Sequence, residues 1–189
     1  IMDMLKSYDK TKSDFNDIVI YVANDDPRLD EYRRNLAGRN LVIGDRLTKV
    51  GVDNYCCCSL YPRYKYYSEI NDDHIYHTVG WDKVLVDAIE AHGGWGFACG
   101  NLKGLPSGMV ISGNIVRALG YQCTPLLEQS YSDNFHQELG EALGMFYRVS
   151  GVEIEHRHWV FGKADIDANY AMVTSHEHME KGRAGLNEW

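Results

Sequence analysis

Tyr64-Lys-Tyr-Tyr-Ser-Glu-Ile-Asn-Asp-Asp-His74, with Gly80-Trp81-Asp82 soon after it, decides how this chain is read. A β-rich run ends in paired carboxylates and a helix opens beyond them. Hard oxygen ligands such as Asp72 and Asp73 suit Mg²⁺ or Mn²⁺, ions that complete their shells with a substrate's phosphate oxygens rather than with an all-protein cage. Asn-Asp-Asp is also ordinary turn chemistry, so the segments around it have to choose between the two readings.

Working outward, Ile1, Met4, Leu5 and Tyr8 recur at helical spacing, and Lys10 to Asn16 reads as the loop into an apolar strand, Ile18 to Ala23. That strand ends in a second acidic turn, Asn24-Asp25-Asp26. A short strand at Leu41 to Ile43 comes next, then a helix from Asp45 to Ser59, stopped at Tyr61-Pro62 because the residue before proline avoids the α region. The strand Tyr64 to Ile70 carries the acidic turn. The helix from Gly80 to His92 has one apolar stripe, Trp81, Val84, Leu85, Ala88 and Ile89, closed by Gly93-Gly94. Trp95 to Cys99 and Met109 to Ile111 read as strands, and Asn114 to Leu119 as a brief helix ended by Gly120. Ser132 reads as the N-cap of a helix with Phe135, Leu139, Ala142 and Leu143 on its apolar face. Met145 to Val149 and Val152 to His156 are further strands. This alternation predicts an α/β sheet covered on both faces, with ligands beyond the carboxyl ends of the strands.

A chain of 189 residues makes one domain with a single sizeable core. Its 44% hydrophobic and 24% charged residues set it apart from disordered and coiled-coil chains. There is neither an apolar run of bilayer length nor a visible signal peptide, so a cytoplasmic protein is expected. A formal charge of −8 argues against broad electrostatic binding of duplex nucleic acid, while leaving room for a local basic pocket that takes a diphosphate. Cys56, Cys57 and Cys58 are consecutive and point to different faces of a helix, which excludes a CxxC zinc corner. With Cys99 and Cys123 they read as small buried apolar residues in a reducing compartment. His156 and His158 alternate along a strand and point the same way, astride Arg157.

Taken in order, Asn24-Asp25-Asp26, Arg46 and Asn54 on the next helix, Asn71-Asp72-Asp73, Asp133 at a helix start, and the run Glu155 to Lys163 form a series. From about Ile18 to Tyr170 it resembles the nucleotide-sugar-dependent glycosyltransferases of the GT-A fold, especially family-2-like enzymes of phage and bacterial genomes. The resemblance implies a Rossmann-like three-layer sandwich with a mixed, mostly parallel sheet over one domain, residues 171–189 forming a C-terminal tail. It implies Mn²⁺ or Mg²⁺, a nucleoside diphosphate sugar as donor, and a glycan, a protein or a modified DNA base as acceptor, in the host cytoplasm if the source is viral.

On that resemblance Asp73 is the principal metal ligand, with Asp72 beside it on the metal or the ribose. One of His156 and His158 is a further ligand, and His156 is preferred because it follows Glu155. Asp25 contacts base or ribose, while Arg46 and Asn54, two turns apart on one helix face, approach base or diphosphate. His158 to Lys163 looks like a His-x-x-x-Gly-Lys segment whose lysine neutralises the leaving diphosphate. Asp133 takes the proton from the acceptor hydroxyl, the course expected of an inverting enzyme, with retention the alternative because a His-Gly-Lys segment also occurs in retaining families. Tyr66, Tyr67, Trp81, Trp95 and Trp159 are stacking surfaces or core. In the family a strand and a nucleotide-holding loop precede the first helix, so roughly ten to twenty residues are expected ahead of Ile1. Two alternatives are a non-catalytic nucleotide- or glycan-binding module of the same fold and a metal-dependent phosphoester hydrolase using Asp72, Asp73, His156 and His158.

Overall fold

The computed structural model describes residues 1–100, 106, 108–157, 171–172 and 174–189. Helix α1 (Met2–Thr11) buries Met4, Leu5 and Tyr8, the residues that recur at helical spacing. Strands β1 (Val19–Ala23) and β2 (Asn40–Gly44) pair in parallel, Val19 opposite Asn40 and Ala23 opposite Gly44, and α2 (Leu29–Asn35) makes the crossover that a parallel pair requires.

Helix α3 (Lys49–Asn54) runs into a π-helical turn, Tyr55–Leu60. It starts later than the expected Asp45, because the Thr48 hydroxyl caps it by accepting from Gly51 N at 3.1 Å. Arg46 therefore lies in the preceding loop, and the expectation that it shares a helix face with Asn54 is corrected. The π turn carries Cys56 to Cys58, and all five thiols are free. Burial pushes Cys56 and Cys99 up to about 11 and Cys123 up to about 12, so these thiols stay protonated.

Strand β3 (Tyr66–Ser68) is shorter than its expected span, and a strand that the residue pattern does not announce, β4 (His74–Tyr76), starts directly after the acidic turn. Helix α4 (Trp81–Glu90) buries Trp81, Leu85 and Ile89, while Val84 faces outward. It is followed by Gly93 and Gly94 at φ +86° and +77°, the left-handed region that ends helices. Beyond lie β5 (Phe97–Cys99), β6 (Val110–Ser112), α5 (Gly113–Leu119), α6 (Ser132–Ala142), β7 (Phe146–Arg148), β8 (Ile154–His156) and α7 (His176–Glu188).

One sheet has the order β3-β6-β5-β7, and β4 pairs with β8 apart from it. Alternate residues of the sheet enter two cores. Ala98 and Val110 pack with Trp81, Leu85 and Ile89 of α4, whereas Phe97, Cys99 and Ile111 pack with Ile115, Phe135 and Leu139 of α5 and α6. Helices thus cover both faces, and the α/β class holds. The mostly parallel sheet does not: among the described strands two of five pairings are parallel, β1 with β2 and β5 with β7. Buried three-residue strands reveal their burial in sequence but not the direction of their partners.

Asp82, buried at the start of α4, accepts from Ser13 N at 3.0 Å, Ser13 Oγ at 2.8 Å and Asn16 Nδ2 at 2.9 Å, which fastens the loop after α1 to α4. On the other side of the sheet Ser132 is not the N-cap of α6. Tyr131 takes that place at φ 70°, a strained conformation for a tyrosine, and Ser132 begins the helix. The buried face of α6 is rotated to Phe135, His136, Leu139 and Gly140, and Leu143 is exposed. The C-terminal tail contains α7, in which Gly182 lets the Tyr131 ring approach, and the terminal Trp189 meets Phe135 edge to face at 4.7 Å. Among the described residues no helix is long and apolar enough to cross a membrane.

Candidate metal centre

Strands β4 and β8 are antiparallel with His74 opposite His156, and just beyond the ladder Arg157 N donates to the Asp73 carbonyl at 3.0 Å. This pairing sets the second acidic turn against β8. Asp73 Oδ2 lies 3.1 Å from His156 Nε2, and the His74 and His156 rings meet edge to face at 4.8 Å. One ligand atom from each of Asp73, His74 and His156 falls within 4.8 Å of the others. Donors at about 2.0–2.2 Å from a shared ion stand roughly 3–4 Å apart, so the group is close to the size a single ion requires.

His74 is fully buried, and burial, followed by the neighbouring His156, pushes its imidazole far below the ordinary value, with Asp73 opposing. The neutral ring is the form that ligates metal. Asn71 holds the ring: Asn71 N donates to His74 Nδ1 at 3.4 Å, and Asn71 Nδ2 lies 3.4 Å from His74 Nε2. Sequence reasoning missed His74. Neighbours along a strand face opposite ways, so Asp73 and His74 look incompatible as partners until it is seen that Asp73 belongs to the turn and His74 starts the strand.

Asp72 is exposed, and with Asp73 it borders a cavity of about 490 Å³ also lined by Arg28, Tyr32, Ile75 and Arg157. Arg28 lies over the Tyr32 ring at 5.6 Å and is forked onto Glu31 at 2.8 and 2.7 Å. Arg157 is held loosely, 3.9 Å from Asp3 and 3.8 Å from Glu155. Neither arginine stands out in the sequence as a site residue. Only the folding of α2 and β8 around the second turn brings them to one cavity.

Asp133 lies in the first turn of α6, where the helix dipole favours a carboxylate. Burial raises its carboxyl above the ordinary range; Lys49 and His156 pull it down and Asp53 pushes it up. It therefore shares the electrostatic surroundings of the Asp73, His74 and His156 group. Asp25 and Arg46 come together as well, at the carboxyl ends of β1 and β2, in a two-point pair of 2.9 and 3.1 Å on an exposed surface. Asn54 is engaged elsewhere: its carboxamide accepts from Gln122 N at 2.8 Å and Cys123 N at 3.0 Å and donates to Cys123 O at 2.8 Å. It ties down a loop, and the expected contact with base or diphosphate is corrected. Trp81 is core and Trp95 is partly exposed. His158, Trp159 and Lys163 lie outside the described residues.

No family model, no curated protein and no solved structure matches the chain.

Proposed function

We propose that this chain is a divalent-metal-dependent glycosyltransferase with a GT-A-like arrangement, moving a sugar from a nucleoside diphosphate sugar to an acceptor hydroxyl with inversion. The observation that carries the reading is the adjacency of two things: a carboxylate with two imidazoles, and an open cavity that adds Asp72 and two arginines. Asp73, His74 and His156 are the residues that would hold the ion. A donor set with imidazoles favours Mn²⁺ over Mg²⁺, which keeps to oxygen ligands. When bound, the ion supplies positive charge against the diphosphate that leaves.

The rest is the work of this chain's own side chains. Arg157, loosely paired, is available to swing onto phosphate oxygens, and the Arg28–Tyr32 stack offers a flat, charged wall to the nucleoside. Asp133 is the base for the acceptor hydroxyl. Its raised carboxyl brings its affinity for a proton nearer to neutral pH, which strengthens a carboxylate as a base. Asp25 with Arg46 forms a hydrogen-bonding edge at the ends of β1 and β2, suited to a ribose or base.

A panel of nucleotide sugars titrated against the protein in Mn²⁺ and in chelator, followed by product analysis with candidate acceptors, tests this reading. One donor is expected to bind only with the metal and to give product only with an acceptor. Binding without turnover on any acceptor would move the assignment to a binding module, and cleavage of phosphoesters that carry no sugar would move it to a hydrolase.

A further inference from the structure

Lys49 is the first residue of α3, where a cation opposes the helix dipole, so helix stability does not account for its placement. Its ammonium reaches one turn along its own helix and two other parts of the chain. It is paired with Glu69 Oε1, lies 3.6 Å from Asp53 Oδ2, and donates to Ser132 Oγ at 3.4 Å. The Glu69 side chain is only 9% exposed. Glu69 Oε2 and Asp53 Oδ2 are buried without a hydrogen bond among the described residues, which leaves the lysine as the cation that both acids share. Such an arrangement is costly unless the charge stays in place, since removing one member strands the others.

The position of Glu69 gives the pairing its consequence. Strand β3 ends at Ser68 and β4 starts at His74, so residues 69–72 cross between them without a ladder. Glu69 anchors the upstream end of this stretch and Asp73 closes the downstream end. The field of Lys49 also reaches His74 and Asp133.

We propose that Lys49 is a positioning residue for the metal centre, a clamp that fixes Glu69, and through it the Asn71-Asp72-Asp73 turn, against the first turn of α6. The inference rests on the reading of Asp73, His74 and His156 as metal ligands. Residues that orient metal ligands are worth about ten- to a hundredfold in metal affinity.

The test uses Mn²⁺ alone, following loss of the free-ion electron paramagnetic resonance signal, alongside thermal melting. The double variant Lys49→Met/Glu69→Gln leaves the net charge unchanged and strands no carboxylate at position 69, while Asp53 loses its cation, so affinity is compared only in protein that melting shows to be folded. It is expected to melt below the wild type, because Asp53 loses its cation, yet to stay folded at the assay temperature and bind Mn²⁺ at least about tenfold more weakly. Lys49→Arg, which keeps charge and reach, is expected to stay within about threefold of the wild type. Wild-type affinity in the folded double variant, or equal weakness in Lys49→Arg, overturns the clamp. Should the double variant not fold, Glu69→Asp keeps the charge but shortens the reach: a threefold or larger loss supports the clamp and wild-type affinity overturns it. A wild-type protein that ignores Mn²⁺ overturns the metal reading and this inference together, whereas variants that match a metal-binding wild type overturn the inference alone.

Discussion

Asn24-Asp25-Asp26 and Asn71-Asp72-Asp73 are the same tripeptide, the first directly after β1 and the second directly ahead of β4, and the fold treats them differently. In the first turn the Asp25 side chain is 58% exposed and is answered by Arg46, equally exposed. In the second the Asp73 side chain is 17% exposed and is answered by His156 on a strand far along the chain, with His74 beside it. The first turn follows a parallel pair and opens to solvent; the second is sealed by the β4–β8 pairing. An aspartate in such a turn therefore acquires its chemistry from what the fold brings against it. A guanidinium makes an exposed ion pair of small energetic worth, and imidazoles make a metal-ready group.

The sharpest way to break this comparison is to remove each acid in turn. Asp73→Asn is expected to weaken Mn²⁺ binding by at least about a hundredfold, since it removes a ligand rather than an orienting neighbour, while Asp25→Asn leaves it unchanged. Calorimetric titration with Mn²⁺ checks both, and equal losses would mean that the turns do not differ as described. Next in size, Asp133→Asn is expected to cut acceptor-dependent turnover by about a hundredfold with Mn²⁺ affinity kept, the usual worth of a general base. Steady-state kinetics on the variant decides it, and unchanged turnover would leave Asp133 as a helix-start residue only.

Much of the framework was legible. The helical spacing of Met4, Leu5 and Tyr8, the stripe of Trp81, Leu85 and Ile89, and the glycines at 93, 94 and 120 mark elements whose signals are local. What could not be read depends on partners distant in sequence. Strand direction is one case: β5 takes an antiparallel neighbour in β6 and a parallel one in β7. The site divides in the same way. Asp73 and His156 carry recognisable patterns, but His74 becomes a candidate ligand only once β4 and β8 are paired. Lys49 is an unremarkable helix lysine until Glu69 and Ser132 meet it. Asn54 read as a ligand contact because it stands two turns from Arg46 in sequence, and its partners are instead backbone groups at Gln122 and Cys123.

A smaller effect separates the buried interior from the exposed first turn by pH. His136 is fully buried, and burial brings its imidazole from the ordinary 6.5 down to about 4, with a hydrogen bond to Gln122 opposing. The unfolded chain takes up this proton below about pH 6.5 and the folded chain does not, so stability is intact above that pH and lost as pH falls towards 4. The loss is about 1.4 kcal/mol per pH unit, roughly 3 kcal/mol in all. Denaturant titrations across that range are expected to show the slope, and His136→Gln to flatten it by about one proton. The smallest effect belongs to the exposed pair. Arg46→Ala is expected to leave the melting temperature unchanged while weakening nucleoside diphosphate binding a few-fold, and a large drop in melting temperature would show that the pair is structural.

The central claim is that a nucleoside diphosphate and a divalent ion bind together at Asp73. Titration of a panel of nucleoside diphosphates into the wild-type protein, first with Mn²⁺ and then with chelator, tests this most directly. The account predicts that at least one of them binds with Mn²⁺ present and that its binding collapses in chelator. Equal binding in the two conditions, or no binding in either, would contradict it.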